Sequence, residues 1–360
     1  MFPLYNKYME TLDNIHWNSS RIDGCQKAMN CVISERGDGK STAIIRKAVD
    51  QGFFQKGQPS ILIRRDYNDI NEAYINSLEG MINKFSKERV RFKYKKGNLK
   101  DACIDLFYRE KIMFRVIALK ADSRKQKSLY IENPHLLLFD EMIINTRNGE
   151  KYLTGEAFKL KEIISTYIRE NFSMKCWLLG NPYSLYNPHF VEWGIDPLKL
   201  VHGGKILTGP NWACEYHKMT PELRAYLVEK NPLYQGEHNA YDEYALNGTA
   251  INDKNIMIVP NLPQNYALEQ VFYMDGKYIG IYGANDWNNP VAYYVGRLKN
   301  PSYRRDVFCF DFKDLTTGTT LFSRDERNEF AHFRLAMRSH AVAFQSLECD
   351  YLLEEIYNYL

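Results

Sequence analysis

A chain of 360 residues with 45% hydrophobic content can bury a sizeable core, and its length suggests two domains. With 47 Lys and Arg against 44 Asp and Glu the net charge is only +3, which excludes a bulk polycation and confines any nucleic-acid contact to local basic patches. Seven scattered cysteines with no C-x-x-C pair point to a reducing cytoplasm, and the lack of a signal peptide or an eighteen-residue apolar run predicts no membrane span.

In chain order, a polar and aromatic stretch through residue 27 holds one helix candidate, around Tyr5–Leu12. From Met29 to Asn181 short apolar runs alternate with helical periodicity. Strands are predicted at Ala28–Ile33, Ser60–Arg64, Ala102–Phe107, Ile112–Ala118, Leu136–Phe139 and Lys175–Leu179. Helices are predicted at Lys40–Gln51, Asp69–Phe85, Arg124–Leu129 and Ala157–Arg169. Such alternation implies a mostly parallel sheet with helices on both faces. Residues 200–245 change character: Gly203-Gly204, Gly209-Pro210 and Asn231-Pro232 punctuate them around a helix at Pro221–Lys230. They read as a linker or lid. Further strands are expected at Ile256–Val259, Ala267–Tyr273, Lys277–Tyr282 and Ala292–Leu298, with a hairpin signal at Met274-Asp275-Gly276-Lys277. Helices at Glu326–Ser339 and Asp350–Leu360 close the chain. The expected division is an α/β domain over 1–200, a connecting segment over 201–250 and a smaller α/β domain over 251–360.

Three strand ends carry chemistry. Ser34-Glu35-Arg36-Gly37-Asp38-Gly39-Lys40-Ser41 fits the phosphate-loop pattern G-x-x-x-x-G-K-[ST], with Ser34 in the first glycine's place. A strand precedes it and a helix beginning at Lys40-Ser41-Thr42 follows. Backbone N–H groups of a glycine-rich turn at a helix N-terminus bind a polyphosphate anion. Ser34, Arg36, Gly37, Asp38, Gly39, Lys40, Ser41 and Thr42 are therefore candidate nucleotide contacts. Lys40 is expected to reach the β- and γ-phosphates of ATP, and Ser41 to ligate Mg²⁺. The Ser34 Cβ predicts a negative φ there. The apolar run Leu136–Phe139 ends in Asp140-Glu141. Asp140 is the candidate metal-side carboxylate, acting through water, and Glu141 the candidate general base. Lys175–Leu179 ends in Gly180-Asn181, where Asn181 is either a γ-phosphate sensor or one half of a turn. Arg169, at a helix end, is either a solvated, dipole-pairing cation or an arginine finger.

Basic residues cluster elsewhere. Lys84 to Lys100, which includes Lys93, Lys95 and Lys96, holds eight Lys or Arg interleaved with Phe85, Phe92 and Tyr94. It could track phosphates or form the solvated face of a hairpin. Arg64-Arg65 ends a strand and could reach DNA, a neighbour's nucleotide or a structural partner. Arg124-Lys125-Gln126-Lys127, Arg147 and Lys151 are weaker candidates. No histidine pair has metal-ligand spacing, and neither an N-K-x-D nor a G-x-S-x-G element occurs.

Taken together, these residues resemble the DNA packaging ATPases of phi29-like bacteriophages, compact relatives of large terminase subunits. The likeness lies in Arg36 within the loop, the strand Ile61-Leu62-Ile63-Arg64-Arg65, Phe139-Asp140-Glu141, Gly180-Asn181 and Asn187-Pro188-His189-Phe190, over roughly residues 25–195. The resemblance implies a P-loop ATPase of the ASCE type, using ATP and Mg²⁺, in which Arg169 acts as a finger in trans. It implies a smaller C-terminal domain similar to an RNase H-like nuclease that has lost its acids. The candidate core strand Lys277–Tyr282 indeed has no Asp or Glu, although Asp275, Asp286, Asp306 and Asp311 keep an active nuclease open. The function implied is ATP-driven translocation of double-stranded DNA into a procapsid by a ring, a homopentamer in that family. Its partners would be a portal or connector and a packaging RNA, and its place the host cytoplasm, docked on the procapsid. A helicase- or recombination-type ATPase, a terminase with an active nuclease, and a nucleotide-gated scaffold are the alternatives.

Overall fold

The computed structural model describes residues 15–94, 103–120, 131–145, 150–169, 171, 173–184, 187–197, 199–200, 205–230, 257–274, 276–286, 289–299, 306–323, 325–339 and 341–357. The helix expected at Tyr5–Leu12 and the basic run from Arg124 lie outside them. Two compact units emerge, Met1–Ile251 and Asn252–Leu360.

The first unit is built on a nine-stranded sheet. Its strands are β1 (Met29–Ser34), β2 (Ser60–Arg64), β3 (Lys93–Tyr94), β4 (Cys103–Tyr108), β5 (Lys111–Ala118), β6 (Leu136–Phe139), β7 (Lys175–Gly180), β8 (Leu207–Thr208) and β9 (Trp212–His217). Their order is β3-β4-β5-β2-β6-β7-β1-β9-β8. From β5 through β9 every neighbouring pair is parallel, and the antiparallel pairs are confined to the two edges. Parallel strands covered on both faces need apolar side chains on both. Leu136–Phe139 and Ile61–Ile63 are accordingly buried throughout. Two apolar layers result, one around Ile44, Leu138 and Trp177 and the other around Ile33, Phe139 and Leu178.

β8 and β9 correct the sequence reading. Residues 207–217 were expected in a connecting segment, but β9 pairs with the phosphate-loop strand β1 over its whole length. Gly209-Pro210 is the β8–β9 turn, in which Gly209 N–H donates to the Trp212 carbonyl at 2.8 Å. Besides a single helical turn over Ser20–Asp23, the α-helices among the described residues are α1 (Lys40–Lys47), α2 (Glu72–Ile82), α3 (Glu156–Ile168), α4 (Pro188–Trp193) and α5 (Pro221–Lys230). α1 continues as a π-helix over Ala48–Gln55 instead of stopping at Gln51.

The second unit holds β10 (Met257–Ile258), β11 (Tyr266–Met274), β12 (Lys277–Ala284), β13 (Tyr293–Leu298), β14 (Val307–Cys309), β15 (Thr320–Leu321) and β16 (Val342–Phe344), with α6 (Ala331–Arg338) and α7 (Leu347–Tyr357). The sheet order is β10-β16-β13-β12-β11-β14-β15. β11, β12 and β13 form an antiparallel meander, and β14 and β15 add in parallel beyond β11. The strands expected at Ala267–Tyr273 and Lys277–Tyr282 are β11 and β12, neighbours in this meander, and β11 carries Glu269. β14, β15 and β16 are too short to carry a sequence signal of their own.

Candidate nucleotide-binding and hydrolysis site

Register places the functional strand ends side by side. Cys31 lies opposite Leu178, Leu178 opposite Phe139, and Phe139 opposite Ile63. The residues that follow on each strand thus emerge at one sheet edge, the carboxyl end, where open α/β sheets bind ligands. β7 lies between the loop strand β1 and the acidic strand β6. Asn181 is thereby set between Lys40 and Asp140-Glu141.

The loop has the required backbone. Gly37 and Gly39 adopt φ of 87° and 92°, left-handed values that disfavour any residue with a Cβ. A Cβ on Gly39 would stand 3.0 Å from His16, and one on Gly37 would stand 3.1 Å from Leu227 of α5, so both sides of the loop are packed. Ser34 is absent from the left-handed residues and ends β1 as extended backbone, as its Cβ demanded. Lys40 is buried, and its Nζ donates to the Ser34 carbonyl at 2.9 Å, the Glu35 carbonyl at 3.1 Å and Asn181 Oδ1 at 3.2 Å. Burial lowers the Lys40 ammonium pKa, opposed by the charges of Asp38, Asp140 and Glu35. Glu35 and Asp38 are themselves buried, and neither Asp38 carboxylate oxygen has a hydrogen-bond partner among the described residues. Burial also raises the Glu35 carboxyl, with a further push from Asp38. Arg36, within the loop, is exposed, and Thr42, directly after it, is half-buried.

At the end of the acidic strand, Ser41 and Asp140 line one cavity, and Ser41 favours the ionised Asp140 carboxylate. Burial raises the Asp140 carboxyl, and Glu141 adds to the rise, against Ser41, Lys40 and Arg64. A cavity of about 50 Å³ opens beside Ser41 and Asp140, walled by Tyr74, Ser77, Leu78 and Met81. Hydroxyl and carboxylate oxygens next to a water-sized space are a donor set that suits Mg²⁺. Glu141 stands at φ 58°, and its side chain is 61% exposed.

Arg64 and Arg65 are turned to this site, which is the structural pairing among the roles open to them. Arg64 donates to Glu141 Oε2 at 3.0 Å and lies over the Tyr74 ring. Arg65 chelates the buried Glu156, Nε to Oε2 and an NH₂ to Oε1, both at 2.9 Å. Of the other basic candidates, Lys93 is exposed but paired with Glu110 at 2.7 Å. Lys151 is exposed, while Lys95, Lys96 and Arg147 lie outside the described residues. Arg169 is exposed directly after α3.

Glu156 and His189 escaped the sequence reading. Burial alone would raise the Glu156 carboxyl; hydrogen bonds from His189 and Arg65 overcome it and hold the pKa down to about 2. The folded value lies below the ordinary 4.5. The resulting stability is therefore present above pH 4.5 and lost as pH falls through about 2. Glu156→Gln is expected to lose about 3 kcal/mol at neutral pH and to shrink that difference towards pH 2, measured by denaturant unfolding across this range.

In the second unit, Asp275 lies outside the described residues. Asp311 spends its carboxylate capping a 3₁₀ turn through Lys313 N–H at 3.0 Å. Among the described residues no group of three His, Cys, Asp or Glu is placed to hold a metal, and no helix is long and apolar enough to cross a membrane.

A phosphate-loop pattern, an acidic strand end and an asparagine-bearing strand between them, on a mostly parallel sheet, define a P-loop α/β fold. The family model for the podovirus DNA encapsidation protein (Gp16) matches residues 12–202, and the chain belongs to this family of viral DNA-packaging proteins. A DNA packaging protein of Bacillus phage B103 is 23% identical over 308 residues, 84% of this chain and 87% of the relative. The chain also resembles the phi-28 gp11 DNA packaging motor, with TM-score 0.65 and 18% identity over 94% of this chain and 96% of that one. The motor of the bacteriophage phi-29 genome packaging assembly matches with TM-score 0.64 and 18% identity, over 96% and 99%.

Proposed function

We propose that this packaging protein is an ATPase that drives double-stranded DNA into a procapsid as one subunit of a ring. The observation that carries the reading is the juxtaposition of Lys40, Asn181 and Asp140-Glu141 at one sheet edge. Gly37, Gly39 and the α1 N-terminus would cradle the triphosphate. Ser41 and Asp140 would hold Mg²⁺, which when bound neutralises charge on the phosphates. Lys40, now parked on Asn181, would swing to the γ-phosphate and free the Asn181 amide, so that occupancy of the loop is reported at β7. Glu141, freed from Arg64, would take the proton of the attacking water. The exposed position of Arg169 suits a finger reaching a neighbour's nucleotide. The second unit is read as a non-cleaving module that grips DNA or docks on the portal, with a packaging RNA as a further partner in the host cytoplasm.

The test is ATP hydrolysis together with movement along intact duplex. Strand separation instead would mean a helicase, metal-dependent duplex cleavage an active nuclease, and hydrolysis indifferent to Lys40→Ala and Glu141→Gln a scaffold. For the finger, Arg169→Ala and Glu141→Gln subunits are each expected to be inactive alone. Mixing them should restore part of the activity, because some interfaces then pair an intact Arg169 with an intact Glu141. No recovery at any mixing ratio removes the trans role.

A further inference from the structure

Arg65 does more than pair with Glu156. One of its NH₂ groups also donates to two main-chain carbonyls, Glu141 at 3.1 Å and Met142 at 2.9 Å. These carbonyls belong to the turn in which Glu141 adopts φ 58°, a left-handed backbone that sterics disfavour for a residue with a Cβ. A guanidinium suits this task, since its planar fork of donors can grip a carboxylate and neighbouring carbonyls at once. The ring faces of Phe139 and Tyr152, 5.4 and 5.6 Å from the guanidinium carbon, confine it further.

What fixes Arg65 is a buried anion from elsewhere in the fold. Glu156 opens α3, and its Oε2 also accepts from Leu153 N–H at 2.9 Å. His189 sits in α4, which Asn187 caps by accepting from Phe190 N–H. The His189 Nε2 lies 3.1 Å from Glu156 Oε1, and both side chains are fully buried. His189 Nδ1 has no partner among the described residues, so Nε2 is assigned as the protonated nitrogen. The imidazole packs between Phe139, Tyr152 and Trp193, with centroids 5.7, 6.4 and 5.5 Å away. Buried ion pairs are a poor source of stability compared with apolar packing. An apolar trio here, however, would leave the Glu141 and Met142 carbonyls without their donor.

We propose that Glu156 and His189 are positioning residues for hydrolysis: through Arg65 they lock the Glu141 main chain in its left-handed turn and so aim the carboxylate at the attacking water. The inference rests on Glu141 being the general base. The two arginines that end β2 then divide the work, Arg64 on the Glu141 side chain and Arg65 on its backbone.

The test is a kinetic split and a double-mutant cycle. Glu156→Gln is expected to lower kcat about 100-fold, the scale of a small misplacement at the reacting atoms. KM for ATP and the affinity for a fluorescent ATP analogue should stay within about two-fold, because the phosphate loop is untouched. His189→Gln, which keeps a donor near the Nε2 position, should retain more kcat than His189→Leu. Should Glu156→Gln fold poorly with Arg65 left unpaired, the paired change Arg65→Met with Glu156→Leu removes both charges and is expected to bind nucleotide with the same loss of kcat. In a Glu141→Gln background, Glu156→Gln should reduce the residual single-turnover rate no further. An equal fractional loss in both backgrounds, or nucleotide affinity falling in step with kcat, overturns the proposal. Parental kcat in Glu156→Gln while Glu141→Gln is inactive sinks this inference alone. Parental kcat in Glu141→Gln sinks the base assignment and this inference with it.

Discussion

Glu141→Gln is expected to lower ATP hydrolysis by about 10²–10⁴-fold, the usual range for removing a general base, while leaving nucleotide binding intact. The geometry explains the separation. Glu141 follows Asp140 just beyond the end of β6 but has a left-handed backbone, whereas Asp140 lies beside Ser41. The substitution therefore leaves the groups proposed to hold nucleotide and metal where they are. The fold should also be spared. The Arg64–Glu141 pair spans 3.0 Å, but the carboxylate is 61% exposed, and exposed pairs are worth at most about 1 kcal/mol. A glutamine oxygen can still accept from Arg64. Steady-state hydrolysis and equilibrium binding of a fluorescent ATP analogue, on one preparation, check both halves. Loss of binding together with hydrolysis would show that the side chain holds nucleotide instead of activating water.

Parts of this site were legible in the sequence because their signals are local. Lys40 and Ser41 stand within one turn of the glycines that make the loop. Asp140-Glu141 and Asn181 each follow an apolar run, and strands buried on both faces read as such runs. Leu136–Phe139 and Ser60–Arg64 have the predicted ends for that reason. β9 failed the same criterion. Its sequence Trp-Ala-Cys-Glu-Tyr-His carries Glu215, which is buried only because Trp17 Nε1 donates to it at 3.1 Å and Arg21 pairs with it at 3.1 Å. No periodicity shows a partner 198 positions away. Arg64-Arg65 stayed ambiguous for a related reason. Two adjacent cations advertise charge, and the sequence cannot reveal that Glu141 and Glu156 neutralise it from 77 and 91 positions away. His189 lay within a stretch noticed for its Asn-Pro-aromatic pattern, but its role needs α3 and α4 to meet.

Lys40→Ala should have the broadest effect of any single change, because Lys40 joins three parts of the site. Its ammonium binds two loop carbonyls and the Asn181 side chain, and its charge is coupled to the buried Asp38 and Glu35. Opposed terms set its effect on stability. Burial penalises the ammonium, so removing it relieves a cost, while buried acceptors lose their donor at about 1–3 kcal/mol. The net change in folding should be small beside the change in ligand binding. There the terms add, since the triphosphate brings its charge to a loop already holding two buried carboxyl groups. Without Lys40 the repulsion from Glu35 and Asp38 loses its buried counter-charge, and it grows with each phosphate. Lys40→Ala is therefore expected to weaken ATP more than ADP and to reduce hydrolysis to background. Titration with fluorescent ATP and ADP analogues measures the ratio directly. Equal losses for the two would place Lys40 away from the γ-phosphate, and parental affinity for both would remove it from the nucleotide site.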